Sequence, residues 1–248
     1  MTGLDSLLIV CVVMLIAGTV KGIAGLGLPT IAVSLLVFFF DAHQALGLIV
    51  LPLLFSNLLQ AWQSGQFRWV FSNFWPYLAA IAVAIYIASR FASQVNERVI
   101  YLLIVIGIFM FLISQKKLPK IQLSSKTHIY TAGFAGTLAG ILGGLTTVWG
   151  PPTIIYLRML GLEKEQFVRA TGWMFLIGSV PLTAGYWMGG ILTAELIPAG
   201  IVGSVMAMGG VFLGRHFRSS ISEKHFVRVI DIILGLMAIN LLRKSLGF

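Results

Sequence analysis

Two short units in this chain combine residue types suited to holding an anion: Gly27-Leu-Pro-Thr30 and Gly150-Pro-Pro-Thr153. Each offers a helix start. The first helical turn leaves N–H groups unpaired and carries a partial positive charge of roughly half an electron. Proline is tolerated there because its missing N–H would be unpaired in any case. Glycine lets a ligand approach the backbone closely, and threonine adds a hydroxyl donor. The chemistry expected is recognition of an anion by fixed, uncharged donors. Thr30, Thr146, Thr147 and Thr153 are the hydroxyl candidates. For Thr146 and Thr147, capping of the following helix fits equally well.

Both units close longer matching stretches, Ala17 to Thr30 (AGTVKGIAGLGLPT) and Ala135 to Thr153 (AGTLAGILGGLTTVWGPPT). Each opens with Ala-Gly-Thr and passes through glycines. Gly22, Gly25 and Gly27 are the binding candidates in the first stretch, and Gly143, Gly144 and Gly150 in the second. Such a run is a poor continuous helix. In hydrocarbon, broken backbone is tolerated only where it is buried in protein or lines a watery cavity. Matched breaks in two halves point to the binding site of a transporter. The competing reading is close packing, since Gly18-xxx-Gly22 and Gly136-xxx-Gly140 are small-xxx-small patterns. Packing alone does not account for the Gly-x-Pro-Thr endings or the duplication.

Lys21 is the only base inside either glycine element. At membrane depth an ionisable residue is costly and marks function; if the turn reaches the cytoplasm, Lys21 is a positive-inside residue instead. Asn57 and Gln60 lie three apart in an otherwise apolar segment, hence on one face. They line a cavity or join helices by hydrogen bonds. Trp149 fits packing or a gate. His43 and His128 stand at segment ends without carboxylate spacing for a metal. Neither a metal nor a cofactor is expected.

The elements that position these residues are membrane helices. Of 248 residues, 58% are hydrophobic and 10% charged, against about one quarter charged in a globular domain. The expected class is an all-α, multi-pass membrane protein with no second soluble domain. The net charge of +9 does not imply nucleic acid. The bases sit at the ends of apolar runs, where they orient membrane proteins. Cys11 is the only cysteine, which excludes an internal disulfide and a thiolate metal cluster. The N-terminus lacks a basic n-region and a small-x-small cleavage site, so its first apolar run is expected to be retained.

Apolar runs at 4–20 and 26–40 flank the first break, followed by runs at 44–62, 69–89 and 99–113. A polar linker carries Lys116, Lys117, Lys120 and Lys126. Runs at 129–142 and 148–160 flank the second break, followed by 170–187, 196–214 and 229–242. Asp, Glu, Lys and Arg are absent from Ala42 to Phe67 and from Ala170 to Ala194, long enough to span. Further echoes pair Trp62–Gly65 with Trp187–Gly190, Ser89–Phe91 with Gly214–His216, and Ile104–Gly107 with Ile232–Gly235. The expected layout is a first repeat over 1–114, a basic cytoplasmic linker over 115–127 and a second repeat over 128–248. Each repeat has four to five membrane segments and opens with a Gly/Pro-broken one.

Orientation follows from Lys and Arg. With the linker in the cytoplasm, Arg68, Arg158, Lys164, Arg169, Arg215, Arg218, Lys224 and Arg228 also fall inside. Outside are Asp41–His43, the 90–98 loop, the base-free 188–194 loop and both termini. The opposite assignment breaks the positive-inside rule. On this walk the two repeats are inverted relative to each other.

A duplicated unit with a glycine-rich break, a following proline and a long apolar helix resembles the TauE/SafE sulfite exporter family, also called the toluene sulfonate uptake permease family. The second copy carries the resemblance: Gly140-Ile-Leu-Gly-Gly144, Gly150-Pro-Pro-Thr153 and Val168-Arg-Ala-Thr-Gly172. The last stands where the family has a Val-Ala-x-Ala-Thr-Ser-like run and adds Thr171 to the binding candidates. The first copy departs from the pattern, with fewer glycines in Lys21–Gly27 and with Ala45-Leu-Gly47 in place of the Ala-Thr-Ser-like unit. The resemblance implies a bacterial inner-membrane permease for sulfur-containing anions such as sulfite, thiosulfate, sulfonates or sulfoacetate-like compounds. The expected partners are a small anion and the lipid bilayer, with a coupling proton and a homodimer as further expectations and no nucleic acid. An anion channel is the alternative. An intramembrane enzyme fits poorly: there is no His-Glu-x-x-His, no Gly-x-Ser-x-Gly and no carboxylate pair in an apolar segment.

Overall fold

The computed structural model describes residues 3–114, 119, 125–217 and 223–246. The linker lysines Lys116, Lys117 and Lys120, the base Arg218 and the side chains of Lys126 and Lys224 lie outside the described residues. The described residues form α-helices and short 3-10 turns, with no strand among them.

The first half contains α1 (Gly3–Ala24), α2 (Leu28–Leu36), α3 (Ala42–Ser64), α4 (Phe67–Phe91) and α5 (Glu97–Ser114). The second contains α6 (Ser125–Thr146), α7 (Gly150–Met159), α8 (Lys164–Met188), α9 (Ile197–Phe217) and α10 (Glu223–Leu246). Among the described residues α1, α3, α4, α5, α6, α8 and α9 are long and apolar enough to cross a membrane. The two short helices, α2 and α7, follow the two breaks.

Local chemistry explains the boundaries. Gly25 ends α1 with φ 78°, and its N–H bonds to the Lys21 carbonyl at 2.7 Å, a left-handed C-terminal cap. Gly27, at φ 97°, then caps α2, with Pro29 in the first turn. In the second half Thr147 takes the left-handed role of Gly25, at φ 65°, and its N–H bonds to the Gly143 carbonyl at 2.7 Å. A β-branched residue in that region is strained by about 1–3 kcal/mol. Pro151 and Pro152 open α7. The Asp41 side chain accepts the Gln44 N–H and caps α3, and a Glu163–Gln166 capping box opens α8.

The breaks are narrower than the glycine runs. Gly18 and Gly22 belong to α1 and Gly136, Gly140, Gly143 and Gly144 to α6. Most of these glycines are close-packing positions. A methyl group at Gly136 would lie 2.6 Å from the Tyr77 carbonyl oxygen, and one at Gly144 would lie 2.6 Å from the Ala88 Cβ. Gly22 meets Val211 and Gly214 in the same way. Small residues let membrane helices approach until backbones touch, so α6 lies along α4 and α1 along α9.

Helix packing repeats on exchanging α1–α5 with α6–α10. The α1–α9 pair corresponds to α6–α4, α3 meets α8, and α5 meets α10. Helix ends collect into two groups. In the first, the start of α1 shares a pocket with Gln44 and Pro198, His43 meets Glu97, and Ser93 donates to the Gly189 carbonyl. The end of α10 belongs there too, since Lys244 donates to the Val37 carbonyl. In the second, Trp173 donates to the Gly65 carbonyl at 2.7 Å and Ser64 to the Val168 carbonyl, while His128 contacts Phe74 and Tyr156.

Candidate functional site

The N-termini of α2 and α7 open onto one cavity. Gly27, Leu28, Pro29 and Thr30 line it from α2, and Trp149, Gly150 and Pro151 from α7. The two Gly-x-Pro-Thr units, 123 residues apart by subtraction of Gly27 from Gly150, are thus brought together. Their donors are fewer than the pairing suggests. Proline removes an N–H at position 29 in α2 and at 151 and 152 in α7. Ile31 and Thr153 already bond back to Gly27 and Trp149. The first-turn N–H groups left for a ligand are those of Leu28, Thr30 and Gly150.

This deep cavity has a volume of about 20 Å³, enough for one water and too small for an oxyanion. Leu53, Phe111, Ile154 and Phe175 make the rest of its wall apolar. A second cavity, about 190 Å³, adjoins it and is lined by Gly22, Gly25, Ser56, Gln60, Thr171 and Arg215 among others. Lys21, Leu26 and Phe175 line both cavities and form the boundary between them. This outer cavity, or vestibule, lies at the second group of helix ends, where Ser64 and Val168 also line it.

Lys21 is 6% exposed. Its ammonium donates to Asn57 Oδ1 at 2.5 Å and to Ser56 Oγ at 3.1 Å. Both partners are neutral. Asn57 Nδ2 donates in turn to Ser179 Oγ at 2.7 Å and to the Phe175 carbonyl at 3.3 Å. The amide orientation follows from these partners, because a flip would set an NH2 against the ammonium and an oxygen against a carbonyl. A lysine has three N–H donors, so one remains beyond Asn57 and Ser56. Arg215 adds a second cation to the vestibule, whose lining includes no Asp or Glu among the described residues.

Of the residues expected from sequence, Lys21, Gly27, Thr30, Asn57 and Gly150 line the deep cavity. Lys21 also faces the vestibule, with Gly22, Gly25, Gln60 and Thr171. Gln60 Oε1 is buried without a protein partner. The Thr171 hydroxyl donates to the carbonyls of Phe167 and Val168. Gly143, Gly144, Thr146, Thr147 and Thr153 line neither cavity. Gly143 is filled by Trp149, and Gly144 by Ala88 and the Ile85 carbonyl. Thr146 donates to the Leu142 carbonyl and accepts the Val148 N–H; Val148 precedes the N-cap of α7, Trp149, so Thr146 does not cap that helix. The Thr147 hydroxyl is buried without a partner. Thr153 is bonded to Tyr77 and to the Trp149 carbonyl.

Ser56, Ser179, Phe175 and Arg215 were not among the sequence candidates. Ser56 adjoins Asn57, a polar pair in an apolar run that spacing alone could have flagged. Arg215 falls in the repeat echo with Arg90 but reads there as a topological base. Arg169, at the same end, pairs with Glu165 at 3.1 Å and Gln66 at 2.7 Å. Elsewhere, Asp41, His43 and Glu97 place ligand-capable atoms within 4.8 Å of one another, a grouping their sequence spacing did not suggest. A His43–Glu97 contact of 3.5 Å joins α3 to α5 there.

A family model described as Sulfite exporter TauE/SafE matches residues 10–241. No curated protein and no solved structure matches the chain.

Proposed function

Because the chain belongs to the sulfite exporter TauE/SafE family, we propose that it is a secondary permease moving small sulfur-containing anions across the bacterial inner membrane. Sulfite, thiosulfate and sulfonates such as sulfoacetate are the substrates in view. The observation that carries this reading is Lys21: a buried amine with only neutral partners, at the meeting point of two cavities. A buried ammonium without a counter-charge is costly. An anion arriving from the vestibule supplies that charge. Arg215, in the vestibule lining, favours its entry, and the first turns of α2 and α7 offer further donors.

The proposed mechanism is alternating access between two inverted repeats. The exchange of α1–α5 with α6–α10 supports it, as does the way the ends of corresponding helices fall into opposite groups. Arg158 lies in the last turn of α7, Lys164 opens α8, and Arg169 and Arg215 lie near the vestibule. On the positive-inside rule the vestibule faces the cytoplasm, and Lys21, Leu26 and Phe175 bound it from the deep cavity. That boundary favours a permease over a channel, which needs a continuous path. A coupling proton and a homodimer belong to the same proposal.

A thermal-shift screen of the detergent-solubilised protein with sulfite, thiosulfate, sulfoacetate, taurine and aromatic sulfonates tests the reading, since a ligand stabilises by mass action. At least one anion should raise the unfolding temperature, and the same anion should accumulate against its gradient in proteoliposomes. Silence across the screen defeats the anion assignment. Flux that only equilibrates identifies a channel.

A further inference from the structure

Asn57 does more than hold Lys21. Its Nδ2 reaches one specific turn of α8, bonding to Ser179 Oγ and to the Phe175 carbonyl. Ser179 Oγ also donates to the Phe175 carbonyl at 2.7 Å, so three polar atoms close on that turn. Phe175 is the α8 side chain shared by the vestibule and the deep cavity. A continuous chain of hydrogen bonds therefore runs from Lys21 on α1, through Asn57 on α3, to the turn of α8 that carries Phe175. Lys21, Asn57 and Ser179 are all nearly inaccessible, at 6%, 1% and 1% exposure. Hydrogen bonds in such surroundings are expensive to leave unmade, so the chain holds or releases as a unit.

We propose that this relay is a strap released by the substrate, with Ser179 as the positioning residue that sets it. The inference rests on the anion reading of Lys21 given above. An anion at Lys21 competes with Asn57 Oδ1 and Ser56 Oγ for the ammonium N–H groups, and its full charge makes it the stronger acceptor. Once Asn57 loses Lys21, only its two Nδ2 bonds hold the amide against the Phe175–Ser179 turn. Phe175 then moves from Leu26, and the deep cavity opens to the N-termini of α2 and α7. Ligand binding and opening are thus one event, because the group that receives the anion is the group that holds the door. The ligand drives the change through its differential affinity for the unstrapped state, as any population shift requires.

The test uses full-length protein with Cys11→Ser, which removes the only native thiol, and Ile154→Cys as a reporter buried in the deep cavity at 1% exposure. Labelling by N-ethylmaleimide is timed with and without sulfoacetate, which does not consume the reagent. Ser179→Ala should label at least threefold faster than the parent without any anion, and Ser179→Thr, which keeps the hydroxyl, should label like the parent. Sulfoacetate should accelerate the parent and leave Ser179→Ala unchanged. Equal rates in parent and Ser179→Ala without anion overturn the strap; so does slowing of the parent by sulfoacetate. Thermal unfolding of each variant separates a general loosening from a local one: acceleration with a lowered unfolding temperature in Ser179→Ala also counts against the proposal. If the parent binds no anion by calorimetry, the functional reading fails, while the anion-free comparison still decides the strap.

Discussion

The Thr153 hydroxyl lies 2.6 Å from the Tyr77 hydroxyl, and the pair locks the first turn of α7 to α4. Its counterpart in the other half, Thr30, lines the deep cavity and makes no side-chain hydrogen bond among the described residues. Two threonines that look equivalent in the repeat therefore have different tasks. Thr153→Val should cost about 1–3 kcal/mol of stability, since it leaves the Tyr77 hydroxyl buried without its partner, and should barely change anion affinity. Thr30→Val should do the reverse, weakening binding roughly fivefold, about 1 kcal/mol, with little effect on unfolding. Calorimetry and thermal unfolding on both variants give the answer; matched effects would refute the asymmetry.

Lys21→Gln should weaken anion binding by about tenfold, or ~1.4 kcal/mol. Glutamine keeps a donor for Asn57 but removes the charge. Binding should survive because the first-turn N–H groups of α2 and α7 remain. Titration calorimetry in detergent measures this directly, and an unchanged dissociation constant would remove Lys21 from the site.

The glycines divide in the same way. Gly144→Val should lose folding and transport together, because even a methyl group there would lie 2.6 Å from the Ala88 Cβ and 2.8 Å from the Ile85 carbonyl oxygen. Overpacking of this kind costs about 1–3 kcal/mol or more. Gly150→Ala meets nothing closer than Phe175 Cζ at 3.7 Å. It should fold normally and transport poorly, because the added methyl group narrows the deep cavity. Expression level and proteoliposome uptake, measured side by side, distinguish the two cases. Normal uptake by well-folded Gly150→Ala would show that this helix start does not contact the substrate.

Asp41 and Glu163 cap the corresponding helices α3 and α8. With inverted repeats, cysteines at these two positions in a Cys11→Ser background should be labelled from opposite sides of the membrane, position 163 from the cytoplasm. Losing each cap costs about 1 kcal/mol, which the fold should tolerate. Labelling of both from one side would rule out the inversion.

The sequence by itself determined the membrane class, the helices, the two breaks and the proline-led starts of α2 and α7. These depend on local properties: hydropathy over a span, a missing N–H, and left-handed backbone at Gly25 and Gly27. It also singled out Lys21, Asn57 and Gln60, because a polar residue in an apolar run is conspicuous wherever it points. Only the tertiary structure decided which way residues face. A helix apolar on all sides gives no periodic signal of its buried face, so nothing in the chain told Gly144, packed on α4, from Gly150, open to the cavity. The partners that turn Lys21 into a site come from far along the chain: Ser179 lies 122 residues from Asn57. Their meeting depends on how closely α3 and α8 approach, with Gly172 against Ser64 and the Gln60 carbonyl, which is a property of packed surfaces and not of any one segment.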